Sequence, residues 1–470
     1  MIKRAAITRY VTYFSGISTT AVSIFLINYY LNANEFAVWG IANSLIFILS
    51  QLGQLTYVQY IEKYFPNYND QKKRQTLYKF IKTVFIFFPF WFFLLITLYF
   101  LNYFEKFNIT NIVYLFLMIT LAAVIEASVE IVSKYLLTKN QSIGLDKNEF
   151  FYSKLLRLFI FAALLINGFS IYHLLFTNII LRTFLFLKII NLENNSYKDI
   201  FNDILKTPIW EDNFTKIRYT FVAFGIKTIL MSFLNVLFLF YSTLATSEDI
   251  AIASLGVLII NNLRPAVTSL TSLLSPIISQ NVEKSNKESE LIGNALYINS
   301  YSASLLIFVT CIFVNFYNTF FDIQSLVGYD PDRVILFSIL ASTIASFYYP
   351  KLWHVKFSNL EKKLFVNLTY VFIISFLLFI LFLTRVDIFI CFIAFETLVY
   401  LVSFRLYKLE FINFKNKFSI SFYFSLIALI NVLIDYQYLY VQLIIYFIYI
   451  IFATRDLFNI RTLISSRNFD

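Results

Sequence analysis

Charge is scarce in this sequence. Lys, Arg, Asp and Glu make up 14% of its 470 residues, against about 25% in a soluble domain, and that shortage excludes an ordinary soluble enzyme. Histidine is nearly absent. His173 and His354 are the only two, and neither has a second His or Cys at ligand spacing, so no metal centre is expected. The two cysteines, Cys311 and Cys391, stand far apart in apolar segments and offer no disulfide framework or zinc motif. No G-x-x-x-x-G-K-[ST] phosphate loop occurs. Gly225-Ile226-Lys227-Thr228 lacks the glycine beside the lysine and lies in an apolar run, so neither ATP hydrolysis nor any cofactor is expected. Large polar loops outside the expected membrane, where a polymerase or glycosyltransferase would carry catalytic Arg or His, are also missing. A non-enzyme is the expectation.

What is present is apolar length. Spanning a hydrocarbon core about 30 Å thick takes roughly 20 residues of helix at 1.5 Å each, and runs of that length recur from Val11 to Ala453. Unbroken stretches such as Phe376 to Leu383 lack the alternation of a membrane β-barrel. The expected spans are 10–31, 36–58, 81–102, 112–136, 153–169, 171–188, 219–242, 250–278, 292–317, 333–352, 364–384, 387–404, 418–434 and 438–454. The pair at 153–188 is joined only by Asn167-Gly168-Phe169-Ser170, so the count is about 14, with 12–14 as its range. The fold class expected is therefore an all-α integral membrane protein. The basic start Met1-Ile2-Lys3-Arg4 precedes an apolar stretch with no cleavage pattern, as an uncleaved first helix would.

The net charge of +10 sorts by side. With the N-terminus inside, inner loops hold Lys63, Lys72, Lys73, Arg74, Lys79 and Lys82, then Lys139, Lys147 and Lys154, then Lys198, Lys206, Lys216 and Arg218, and the later inner loops continue the pattern; outer loops hold Lys106, Arg333 and Arg385. Positive loops stay in the cytoplasm, so both termini are expected there, and the charge is explained by topology with no nucleic acid needed as partner. An internal repeat sets Arg9-Tyr10 on Arg218-Tyr219 and Gly16 on Gly225, and Glu35 closes the first hairpin much as Glu248-Asp249 closes the seventh span. The expected organisation is a six-helix bundle over 1–190, a cytoplasmic linker over 191–217, a second six-helix bundle over 218–404, and two further helices with a tail over 405–470.

The first hairpin, Leu31-Asn32-Ala33-Asn34-Glu35-Phe36-Ala37-Val38-Trp39-Gly40, resembles the turn "L-x-x-x-E-[FY]-G-x-[WY]-x" of O-antigen flippases of the Wzx type, in the polysaccharide-transport branch of the multidrug/oligosaccharidyl-lipid/polysaccharide (MOP) exporter superfamily. Ala37 stands where that family has glycine. Leu274-Ser275-Pro276-Ile277-Ile278 is similar to the proline-containing inner end of the family's eighth helix. The resemblance extends to length and a 6+6+2 helix plan. It implies two bundles around a cavity that opens alternately to each side of the bacterial inner membrane, with an undecaprenyl-pyrophosphate-linked oligosaccharide repeat unit as cargo, and with membrane lipids and other polysaccharide-assembly membrane proteins as partners.

Ionisable residues inside spans cost about 2.5–3.5 kcal/mol each on insertion scales and usually face a cavity or a partner. Lys227 lies nine residues past Arg218, roughly 13 Å into the core at 1.5 Å per residue. Arg264 sits mid-span beside Asn261 and Asn262, followed by Pro265. Arg182 is close enough to Lys188 to snorkel inward. These three cations form an expected electropositive site for a pyrophosphate, since guanidinium binds phosphate bidentately and ammonium as a point charge. Glu126, Glu130 and Lys134 recur at i, i+4 and i+8 on one helical face and serve either as coupling groups or as an internal salt bridge, Glu130 to Lys134 having the favourable order. Glu396 has no charged neighbour at helical spacing and is either protonated and structural or paired with Arg264 or Lys227. On the other reading, the cations only neutralise Glu126, Glu130 and Glu396. Asn43, Gln51, Gln54, Asn235 and Thr268 line the same path or make helix-packing hydrogen bonds. The competing functions are a drug or cation antiporter of the same superfamily, a peptidoglycan-precursor flippase, and a membrane polymerase or glycosyltransferase.

Overall fold

The computed structural model describes residues 2–100, 111–139, 141–193, 197–207, 214–267, 285–320, 331–357, 360–381, 385–410, 419–433 and 439–465. Among them the regular elements are all helical. They are α1 (Ile2–Tyr30), α2 (Ala33–Gly53), α3 (Tyr57–Tyr64), α4 (Asp70–Ile86), α5 (Phe88–Phe100), α6 (Ile112–Thr138), α7 (Ser142–Phe150), α8 (Arg157–Ile166), α9 (Ile171–Ile190), α10 (Tyr197–Lys206), α11 (Phe214–Leu244), α12 (Ser247–Val267), α13 (Ser285–Phe320), α14 (Pro331–Phe357), α15 (Glu361–Leu381), α16 (Arg385–Glu410), α17 (Ile420–Leu433) and α18 (Leu439–Ser465). Ten helical stretches among the described residues are long and apolar enough to cross a membrane, with shorter apolar helices at Val334–Tyr349 and Ile420–Ile430. The chain is a multi-span membrane protein. Each expected span coincides with helix over most of its described residues, while 268–278 of the eighth, including the Leu274–Ile278 segment, lies outside them.

Local chemistry explains the ends. Asn32 caps α2 by accepting at its side-chain Oδ1 from the Glu35 backbone N–H at 2.9 Å, and its side-chain Nδ2 donates to the Glu35 carboxylate at 3.0 Å. The glutamate of the hairpin motif is thus the partner that closes the cap. The 153–188 region does divide in two. Phe169 N donates to the Leu164 carbonyl and Gly168 takes φ 72°, the left-handed helix stop that glycine favours. Pro89 lies just past the turn at Phe87 that separates α4 from α5, and a proline there cannot donate to the preceding turn. The third membrane helix begins at Asp70, well before the expected residue 81, because Asn69 caps it by accepting from Lys72 N at 2.9 Å.

The chain forms two compact units, one over Thr8–Ser254 and the other from Leu255 onward with the first seven residues. The division falls within α12, whereas the sequence suggests one in the linker before residue 218. α11 packs on α2 and α3 in the first unit, and its helix starts at Phe214 inside that linker. The linker also contains α10, held by Lys82, whose Nζ donates to the carbonyls of Leu205 and Thr207 at 2.8 and 3.0 Å. Gly40 brings α2 against the start of α12: a Cβ there would collide with the side chain of Ser254. In the second unit α14 packs on α16, and α13 packs on α14, α17 and α18.

Candidate binding and coupling site

The first unit is organised around one polar stripe on α6. Otherwise uncharged, this helix carries Glu126, Glu130 and Lys134 at one-turn intervals, and each meets a different helix. Glu126 accepts both ends of the Arg182 fork from α9, Nη2 to Oε1 and Nε to Oε2, each at 3.0 Å. Arg182 Nη1 donates to Ser153 Oγ at 2.9 Å. Glu130 takes Lys227 of α11 at 2.5 Å, Gln54 at 2.5 Å and Gln51 at 3.2 Å, while Lys227 also donates to Gln54 Oε1 at 2.7 Å. Lys134 reaches Glu62 of α3 at 3.0 Å. Where the sequence weighs a pairing of Glu130 with Lys134 along the helix, the structure gives both of them partners on other helices.

These three acids and three bases balance in charge, and further basic residues lie beside them. Residues Phe151–Leu156 form a π-helical turn leading into α8, a local widening often found at functional sites. Lys154 on that turn and Arg157 just after it lie within electrostatic reach of Arg182, Glu126 and, for Lys154, Glu149. Among the described residues, Lys154, Arg157 and Arg182 gather there with Glu126 and Glu149. Lys154 enters the sequence reading only as a loop charge and Arg157 not at all, since proximity to Arg182 across 25 residues leaves no periodic trace.

Arg264 sits in the second unit, and its surroundings are sealed. Its Nη2 meets Glu396 at 3.0 Å and donates to the Tyr348 hydroxyl at 2.6 Å; that hydroxyl in turn donates to Glu396. The rings of Tyr349 and Phe392 flank the guanidinium. Of the two partners left open for Glu396, the structure gives it Arg264. Side-chain exposure separates the sites: 6% and 0% for Arg264 and Glu396, against 13% and 28% for Lys227 and Glu130 and 17% and 32% for Arg182 and Glu126. Of these three pairs, the two in the first unit keep surface for a ligand to touch.

The polar candidates divide similarly. Gln51 and Gln54 join Glu130. Asn43 and Asn262 donate to the carbonyls of Trp39 and Leu258 at 2.7 Å within their own helices. Asn235 is fully buried and Asn261 half-buried. Thr268 lies outside the described residues, and the side chain of Arg218 is not among those described. Arg9, its counterpart in the repeat, is buried and holds Asp146 through Nε at 3.0 Å and Nη2 at 2.8 Å. No group of His, Cys, Asp and Glu suited to a metal occurs among the described residues.

No protein-family model and no curated protein matches the sequence. Solved structures do match in fold. A structure titled lipid II flippase MurJ, inward closed conformation, aligns at TM-score 0.62 and 14% identity over 97% of this chain and 99% of its own. An outward-facing multidrug resistance MATE family transporter of the MOP superfamily aligns at 0.55 and 14% over 87% and 95%. A MOP superfamily transporter from Pyrococcus furiosus, whose title reports reversed polarity of its binding pocket, aligns at 0.53 and 14% over 87% and 95%. The chain has the fold of these multi-span transporters.

Proposed function

We propose that this protein is a flippase that carries an undecaprenyl-pyrophosphate-linked oligosaccharide repeat unit from the cytoplasmic to the outer leaflet of a bacterial inner membrane, with both termini in the cytoplasm. The observation that carries this reading is the extent of the structural match. The lipid II flippase aligns with 97% of the chain and the multidrug transporter with 87%. The gap between 97% and 87% of 470 residues is about 47 residues, enough for two membrane helices at roughly 20 residues each. That gap favours the plan of a lipid-carrier exporter over that of a drug exporter, and α17 and α18 are the pair that would account for it.

The charge distribution fits an anionic cargo. Each acid of the α6 stripe is paired with a base, and the basic residues Lys154, Arg157 and Arg182 gather beside Glu126. Guanidinium groups on a partly exposed face suit the paired oxygens of a pyrophosphate. A drug or cation antiporter would need an acidic face in its place. The oligosaccharide adds no charge requirement visible here, so its sugars are set by cavity shape.

Deletion in the host tests the reading. Lipid-linked repeat units are expected to accumulate on the cytoplasmic leaflet while surface polysaccharide disappears, and the wild-type gene is expected to reverse both. Normal surface polysaccharide combined with altered tolerance to cationic drugs would replace it with the antiporter reading.

A further inference from the structure

The second membrane helix is interrupted beside the Glu130 hub. α2 ends at Gly53, Leu55 takes φ 46°, and α3 starts at Tyr57. A left-handed leucine is a strained conformation of the kind that persists only where its surroundings hold it. Gln54, before the break, is the residue that joins Glu130 to Lys227. After the break come Thr56 and Gln59, 3% and 1% exposed, whose Oγ1, Oε1 and Nε2 atoms have no hydrogen-bond partner among the described residues. An amide left so in an apolar interior is costly, and polar sites of this type take up water. Glu62 follows one turn beyond Gln59 on α3, 2% exposed and 3.0 Å from Lys134. Lys134 stands four residues from Glu130 on α6, about 6 Å along the axis at 1.5 Å per residue. The break therefore lies between two carboxylate–ammonium pairs.

We propose that Thr56 and Gln59 bind a short file of water in this break, and that the file passes protons between Glu62 and Glu130. Only O–H bonds form and break: the Glu62 carboxyl gives a proton to the first water, each water hands one onward, and Glu130 receives one, leaving every water with two. Glu62 faces Lys134 from α6; Glu130 faces Lys227 from α11, Gln51 from α2, Gln54 just past its end, Glu126 and Lys134 on its own helix, and Tyr13 from α1. A protonated Glu130 no longer holds Lys227 by charge, so the ammonium becomes available to a phosphate oxygen. Proton arrival and anion binding then favour each other. The direction of net transfer rests on the transporter reading above; the water file does not.

Purified full-length protein in vesicles of phosphatidylethanolamine and phosphatidylglycerol, alkaline inside with a trapped pH dye, gives the proton flux. Gln59→Leu, and independently Thr56→Val, should lower it about tenfold or more, the scale of a lost positioned proton transfer, with little change in the thermal midpoint, since an apolar isostere removes the polar group and its water together. Radiolytic hydroxyl labelling supplies a readout without transport: Tyr57 and Tyr60, buried beside the break, should label in wild type and be protected in Gln59→Leu. Protection of both tyrosines in wild type, or lost labelling with unchanged flux, overturns the proposal. Failure to move an oligosaccharide lipid would leave both readouts intact and count only against the flippase reading.

Discussion

At the scale of single residues, the ion pairs differ in what their loss should do. Arg264→Met leaves the Glu396 carboxylate buried without its cation, a change that costs about 3–5 kcal/mol, so the thermal midpoint in detergent should fall sharply. The double variant Arg264→Met/Glu396→Leu should recover most of that loss, because it removes both charges together. Recovery of nothing would mean the pair is not an isolated unit. Lys227→Met, at a partly exposed pair, should instead lower lipid-linked oligosaccharide transport by about tenfold or more while sparing fold, the scale of one charge-assisted phosphate contact of about 1.5–3 kcal/mol. Unchanged transport in that variant would assign Lys227 to neutralising Glu130 alone. Gly168→Ala should cost about 1–2 kcal/mol, purely for its positive φ, since no atom lies within 4 Å of the added Cβ.

At the scale of elements, close helix approach is set by small residues. Gly40→Ala would drive a Cβ into the Oγ and Cβ of Ser254. Overpacking of this kind costs about 1–3 kcal/mol, and the yield of folded protein by size-exclusion chromatography should drop. Ser254→Gly in the same chain should restore it, because the nearest atoms in conflict belong to that one side chain. The α6 stripe shows the same logic for charge: three ionisable groups one turn apart let one helix bind three others, and each contact is specific because a misplaced helix would leave a charge unpaired.

At the scale of the whole molecule, the sequence-based orientation makes a direct prediction. Cysteine introduced at Asn67, exposed after α3, should react with a membrane-impermeant maleimide only once spheroplasts are opened; cysteine at Glu248, at the exposed start of α12, should react in intact spheroplasts. The native Cys311 and Cys391 are both buried, which keeps the background low. Reversal of the two reactivities would invert the topology and place Glu62 on the outer side.

The amino-acid sequence by itself determined that the chain is helical and membrane-embedded, and roughly where each span lies, because apolar length against a fixed bilayer thickness is a one-dimensional quantity. It also singled out Glu126, Glu130, Arg182, Lys227, Arg264 and Glu396, because a charge inside an apolar run is conspicuous without any structure. Only the tertiary structure decided their partners. Glu62 and Lys134 are 72 residues apart, Arg9 and Asp146 137, and Lys227 and Glu130 97, and no periodicity records which helices become neighbours. The same holds for the break at Leu55: the expected span runs straight through it from 36 to 58, because a single glycine in an apolar run, here Gly53, fits close helix packing as well as a helix stop.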